Sequence, residues 1–413
     1  MNFPLYLAYL NTLTFSSIQM VLYTTIPYIS EQTGVETAAI IGAISVGSFI
    51  FSFMGPFWAA WSDTLGRKKV LGLGMFGMFL SFLCFTLIFL FNDVLALQVK
   101  VMMVFLARIL YGLLASAIVP VSQAWQLDLI PEKNRLKVLT GNSMCLNLGR
   151  ILGPIFILAQ QVDFEKVFYI ATAWVFVLSS LSFMTRGQKQ VPLPEKTRVR
   201  FKELALRWKK SAQESLRPIL LAMIFTAFIG ILHSFLGHHL KNVLNISGEE
   251  ASLMFAKIIL FLSVSAVALQ QFSIFLFKSK WVVRLALGAS SLVVGTVVMM
   301  NSFNQLTLWT SIFFISVATA FIPPVYLSLT SHSEENSQKT NIFGRKLGLS
   351  SIAHSFGYAL GSGLIALSMK LKIISTTSVV ILVSCSLLAL AINMILKRSE
   401  LLPKSKDTQE GTP

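Results

Sequence analysis

Runs of about twenty apolar residues recur from one end of the chain to the other, and this feature restricts its fold more than any motif does. A helical run of that length crosses a hydrocarbon layer about 30 Å thick. Of 413 residues, 54% are hydrophobic and 13% charged, whereas an ordinary soluble domain is roughly a quarter charged. The hydrophobic pattern predicts twelve spans: Leu5 to Ile29, Ala38 to Trp61, Val70 to Phe91, Val99 to Leu127, Val138 to Ala159 and Val167 to Met184, then Pro218 to Leu240, Ala251 to Phe277, Leu285 to Met300, Leu306 to Leu329, Leu347 to Ser368 and Ile373 to Leu396. The expected fold is an all-α membrane protein, with twelve transmembrane helices in two pseudo-symmetric bundles of six.

The division falls at a polar stretch. Residues 1–185 form the first bundle, 186–217 a basic linker, 218–397 the second bundle and 398–413 a polar tail. The linker carries ten basic residues, and Phe201, Leu204 and Trp208 fall on one helical face within it. That pattern fits a short helix lying on an anionic membrane surface, or simply a solvated linker. An offset of 208 residues pairs Gly149 with Gly357 and Gly153 with Gly361, as parallel repetition of six-span halves would produce.

The formal net charge is +16, from 34 Lys and Arg against 18 Asp and Glu. In a soluble chain this would raise nucleic-acid binding, but here the basic residues occupy short loops between spans, with no basic arm or face, so no nucleic-acid partner is expected. Their distribution sets the orientation. With the termini in the cytoplasm, the inner loops hold Arg67, Lys68, Lys69, Lys133, Arg135, Lys137, Lys278, Lys280, Arg284, Lys339, Arg345 and Lys346, whereas the outer loops hold Lys100, Lys166, Lys241, Lys370 and Lys372. Both termini are therefore expected inside. The first apolar run has no basic leader and is too long for a signal peptide, so it reads as a permanent span. Cys84, Cys145 and Cys385 lie apart in apolar spans and carry no redox message.

After the second span the chain reads Trp61-Ser62-Asp63-Thr64-Leu65-Gly66-Arg67-Lys68-Lys69. An acid at a helix end, a glycine turn and a basic triplet suit a short loop locked by charge pairs. The stretch resembles the loop between helices two and three of the major facilitator superfamily, keeping its acid and its Gly-Arg-Lys run. Ala59, Trp61 and Thr64 replace that pattern's first Gly, Leu and Arg. The resemblance implies a gating cluster of Asp63, Gly66, Arg67 and Lys68 with Asp128, where Arg67 pairs the acid ending helix four and Asp63 lies near the start of helix eleven. Arg108-Ile109-Leu110-Tyr111-Gly112 is similar to the family's Arg-x-x-x-Gly motif, which is associated with proton-linked transport. Gly141, Gly149, Arg150, Gly153 and Pro154 resemble its antiporter motif, one residue short in the first interval. The resemblance favours efflux by antiport and leaves uptake open.

Some charges are not explained by topology. Arg108, Arg150 and Lys257 lie within spans, with His233 and His354, whereas no Asp or Glu falls near a span centre. Buried charge in a membrane helix is costly unless it faces a cavity or a partner. A cavity so built is positive and suits carboxylate, phosphate or catecholate oxygens. The first span offers Gln19 and other uncharged polar groups, so an anionic or zwitterionic substrate is expected, bound by Arg108, Arg150, Gln19, Gln123 and Lys257. For the individual basic residues, carbonyl capping or snorkelling is the alternative role. His233 and His354 are the groups that can titrate near neutrality, and are the candidates for proton coupling. Gly112, Gly141, Gly149, Gly153, Pro154, Gly357 and Gly361 are candidates for close helix packing.

His233, His238 and His239 do not share a helix face and have no Cys or acid to complete a set, so no metal is expected. No cofactor is expected, and the chain holds no Gly-x-Ser-x-Gly, His-Glu-x-x-His or phosphate loop, so it does not read as an enzyme. Together these features lead us to expect a monomeric multi-pass secondary transporter of the bacterial inner membrane. Its partners would be a small-molecule substrate, protons and the lipid bilayer, and a carboxylate siderophore is one example of such a cargo. Proton symport of an organic anion and an uncoupled facilitator are the alternatives.

Overall fold

The structure is a computed structural model that describes residues 3–130, 135–159, 163–185, 216–277, 281–301, 304–332, 340–372 and 375–397. Among these residues there is no β-strand, and twelve helical segments are long and apolar enough to cross a membrane. The first half holds α1 (Phe3–Thr24), the short α2 (Ile26–Thr33), α3 (Thr37–Leu65), α4 (Arg67–Leu90), α5 (Leu97–Leu114), α6 (Ile118–Leu129), α7 (Arg135–Ala159) and α8 (Phe164–Met184). The second half holds α9 (Leu216–Leu244), α10 (Gly248–Phe277), α11 (Trp281–Met300), α12 (Gln305–His332), α13 (Thr340–Leu371) and α14 (Thr376–Leu396). The polar linker, the tail and the anticipated interfacial helix lie outside the described residues, as does the side-chain environment at the start of α13.

Two anticipated spans are interrupted, each with a covalent cause. The run from Leu5 to Ile29 breaks at Thr25, because Pro27 has no N–H to donate to the Tyr23 carbonyl four residues back. The fourth span is α5 and α6 joined by a 3₁₀ turn at Ala115–Ala117, just ahead of Pro120. There the Leu113 carbonyl accepts from Trp58 Nε1 of α3 at 2.6 Å, so a neighbouring helix satisfies a group near the kink. Several spans also run past their hydropathic limits. The last turn of α3 includes Asp63 and Thr64, and α4 begins with Arg67, Lys68 and Lys69.

Within a lipid layer, helices associate through close packing and interhelical hydrogen bonds, since burying apolar surface gains little there. Small residues supply the packing. A Cβ at Gly149 would meet the Leu13 carbonyl oxygen at 2.6 Å, and one at Gly153 would meet that of Ser17 at 2.5 Å, so α7 lies directly on the α1 backbone. Gly141 faces the same helix, at Tyr9. Gly357 and Gly361 pack in the same way on α9, against Met223 and Ala227. The glycines related by 208 residues thus make equivalent contacts in the two halves. Polar bonds tie the first half further: Asn11 donates to Ser182 Oγ at 3.0 Å, and Thr12 and Gln126 both donate to Asn142 Oδ1, at 3.0 and 3.2 Å.

The halves meet toward the end of the bundle that carries α2. Glu31 forms an ion pair with Lys241 and accepts the Gly248 N–H at 2.7 Å, while the Tyr28 N–H donates to Ser252 Oγ at 3.2 Å. Pro27 packs against Gly237 and Gly248. Below this, α3 and α13 touch through Ser45, which donates to the Ala359 carbonyl at 2.7 Å, and through Phe49 and Phe53 against Phe356. Lys241 belongs to α9 in this arrangement, rather than to an outer loop, and bonds across the halves.

Candidate functional site

At the opposite end, the short connection between α3 and α4 turns at Gly66, with φ 98° and ψ 131°, a conformation that side chains disfavour. The turn brings Arg67 back against the end of α3. Its Nη2 pairs with Asp63 at 2.5 Å, its Nε with Asp128 of α6 at 2.8 Å, and its Nη1 donates to Ser62 Oγ at 2.5 Å. One guanidinium thus ties three helix ends, using the planar fork that suits paired carboxylates. Lys68 donates to the Thr185 carbonyl at 2.6 Å, just past α8, where a cation complements the helix dipole. Asp63, Gly66, Arg67, Lys68 and Asp128 are therefore brought together within the first half.

Midway along the bundle lies a second constellation. Arg150 of α7 has an exposed side chain, although protein atoms lie all around it. Its electrostatic neighbours all belong to the other half: His233 on α9, Tyr326 on α12, and His354 and Tyr358 on α13. The rings pack on one another. Tyr23 of α1 stacks on His233 with centroids 5.7 Å apart and lies 5.5 Å from Tyr358, and Tyr326 meets His354 edge-on at 5.1 Å. His233 Nδ1, His354 Nε2 and the Tyr358 hydroxyl are buried without hydrogen-bond partners. A cation, two imidazoles and three phenols from both halves can receive an anion and move a proton.

The other anticipated ligands divide. Arg108 is 0% exposed, stacked over the Tyr111 ring at 4.0 Å, with no hydrogen bond from any guanidinium nitrogen. It therefore does not line an open cavity in this conformation. Gln19 is buried with both amide atoms unpartnered. Gln123 is half-buried, and Lys257 is exposed on α10; neither is among the groups around Arg150. Gly112 packs on α3 at Gly47 and Ile50, as a helix-contact residue. Pro154 lies inside α7 without ending it. An apolar groove of about 280 Å³ between α3 and α13, lined by Ser45, Phe49, Leu360 and Leu364 among others, contains none of these charged groups. The candidate site is at Arg150, where charged, imidazole and phenol groups of both halves converge.

Residue-level reading of the sequence missed the tyrosines. Tyr23, Tyr326 and Tyr358 look like ordinary apolar filling in spans rich in Phe, and no local pattern marks them. Glu31 was equally hidden, because its partner Lys241 is 210 residues away.

Twelve spans in two glycine-packed halves, with a guanidinium facing both, suit a membrane transporter. The chain belongs to the Major Facilitator Superfamily, whose family model matches residues 7–343. It is 24% identical over 358 residues to Multidrug resistance protein 2 of Bacillus subtilis (strain 168), covering 83% of this chain and 82% of that one. The fold is shared with the peptide transporter POT, at a TM-score of 0.71, 12% identity and coverage of 96% and 94% of the two chains. It is likewise shared with the human organic anion transporter MFSD10 (TETRAN), at 0.66, 17% identity, 95% and 98%.

Proposed function

We propose that the protein exports a small anionic or zwitterionic molecule across the bacterial inner membrane in exchange for protons. The carrying observation is Arg150, a water-accessible guanidinium surrounded by protein and facing His233 and His354 across the two halves. Among the described residues no carboxylate lies near the middle of a span. A cation in so apolar a setting draws a negative group strongly. The efflux direction is supported by similarity to a protein named for multidrug resistance and by the antiporter-like glycines of α7.

In this reading the Arg67 end faces the cytoplasm, following the bias of basic loops, and both termini lie there. The first six spans, 1–185, and the second six, 218–397, rock about the site, with 186–217 as the linker. The Glu31 contacts hold the periplasmic side shut, so Arg150 is reached from the cytoplasm. Asp63, Arg67 and Asp128 fix the cytoplasmic ends of α3, α4 and α6 as one unit during that motion. The chain works as a monomer, and His233 and His354 carry the coupling proton. The same geometry favours a second reading, uptake by symport, because a bound anion and a protonated imidazole attract each other.

Proteoliposomes with a trapped pH-sensitive dye separate the two. Under antiport, an anionic substrate added outside drives protons out and the lumen becomes alkaline; under symport the lumen becomes acid. If only cationic drugs change the lumenal pH, the anion reading is wrong.

A further inference from the structure

Arg108 is not among the electrostatic neighbours of Arg150, and among the described residues no carboxylate pairs with it. All three guanidinium nitrogens are buried without an acceptor, and the side chain is 0% exposed. Burying a cation unpaired is among the most unfavourable arrangements a protein can hold. Its position is nevertheless fixed. A Cβ at Gly47 of α3 would meet the Arg108 carbonyl oxygen at 2.5 Å, so the α3 and α5 backbones touch at this residue. The guanidinium lies on Tyr111, which stacks on Phe51 at 5.4 Å and Phe15 at 6.1 Å. An aromatic stack under a planar cation sets the direction of its N–H fork before any ligand arrives.

Two more unpartnered polar groups lie close by. Tyr111 neighbours both Arg108 and Gln19, and Gln19, 5% exposed, leaves both amide atoms unbonded. The Tyr358 hydroxyl, also unbonded, lies in the field of Arg108 on one side and of Arg150 on the other. Side chains from α1, α5 and α13 thus bring unpartnered polar groups around a guanidinium with no carboxylate among them. A carboxylate fits this deficit, since its two oxygens match the guanidinium fork and leave lone pairs for the amide and the phenol.

We propose that Arg108, Gln19 and Tyr358 form a second carboxylate subsite beside Arg150, and that the substrate is a dicarboxylate whose two ends engage the two arginines. This rests on the anion reading of the Arg150 site and narrows it. Tyr358 belongs to the other half of the molecule, so movement of the halves opens and shuts the Arg108 end of the site. A monocarboxylate engages Arg150 alone.

Titration calorimetry on the purified full-length protein tests this with straight-chain dicarboxylates of four to seven carbons, each beside the monocarboxylate of equal length. A charge-assisted bidentate contact corresponds to about 10- to 100-fold in affinity. The best dicarboxylate is expected to bind tighter than its monocarboxylate match by that factor. Arg108→Gln is expected to bring the ratio to about one, and Gln19→Leu, which keeps the charge and the fold, to lower it by about 3- to 10-fold. Arg150→Gln is expected to weaken both ligands. A ratio near one in the wild type, or one unchanged in both Arg108→Gln and Gln19→Leu, overturns the subsite and leaves the anion reading standing. Failure of every carboxylate to bind, or binding indifferent to Arg150→Gln, overturns both.

Discussion

Each charged residue here is defined by what surrounds it. Arg67, Arg108 and Arg150 are the same side chain in three settings: clamped between two carboxylates, stacked on a ring without a carboxylate, and exposed beside the other half. Only the first has its charge balanced by the fold, which makes the other two the candidates for ligand. Gly66 is the residue that permits the first setting. Nothing lies within 4 Å of a Cβ built there, so a substitution meets no clash and the backbone angle alone opposes it. Gly66→Ala is therefore expected to cost about 1–3 kcal/mol, measured as a lower midpoint in thermal unfolding. Gly66→Asn should do no better, because ψ near 131° lies outside the left-handed helical region where Asn is tolerated. An unchanged midpoint for either variant contradicts this account of the turn.

At the scale of elements, α2 is the piece that joins the halves. It is eight residues long, starts at a break enforced by Pro27, and reaches Lys241, Gly248 and Ser252 of the second half. The hydrogen bond from Lys241 holds the Glu31 carboxyl below its ordinary value of 4.5. The pair is therefore formed at pH above 4.5, and its contribution is lost as the pH falls through the lowered value. Because both side chains are about a third exposed, the effect is modest. In a background with Cys84, Cys145 and Cys385 replaced by Ser, a cysteine introduced at Ser252, which is buried against α2, should react with a maleimide about two- to fivefold faster in Glu31→Gln. A disulfide-exchange reagent, usable at low pH, should show the same gain for the parent protein once the pH falls through that lowered value. Equal rates throughout would remove Glu31 from the closure. The glycine contacts make a second test, because the two halves use them alike. Gly153→Val and Gly361→Val should each destabilise by about 1–3 kcal/mol or more, read as thermal midpoint and yield. If one variant is silent, its helix pair does not pack as closely as its counterpart.

At the scale of the whole molecule, the spans were legible because crossing a bilayer requires about twenty apolar residues and hydropathy counts them directly. What hydropathy could not show is where a helix continues into water: Asp63, Arg67 and Lys68 are polar, yet helical and bonded to neighbouring ends. Arg150, His233 and His354 were legible as charge and imidazole where the membrane disfavours them. Their convergence was not, since it depends on which faces of α7, α9 and α13 meet. The tyrosines around them carry no local signature at all, and Lys241 reads as an outer-loop charge with nothing to mark Glu31 as its partner.

The central claim is that a guanidinium held between the halves selects a negative cargo. The most direct measurement is ligand-induced thermal stabilisation of the purified protein and of Arg150→Gln, across compounds matched for size and differing in charge. The account predicts that anionic compounds raise the midpoint of the wild type, that cationic ones do not, and that Arg150→Gln loses the response. Stabilisation by cations, or by anions equally in both proteins, would contradict it.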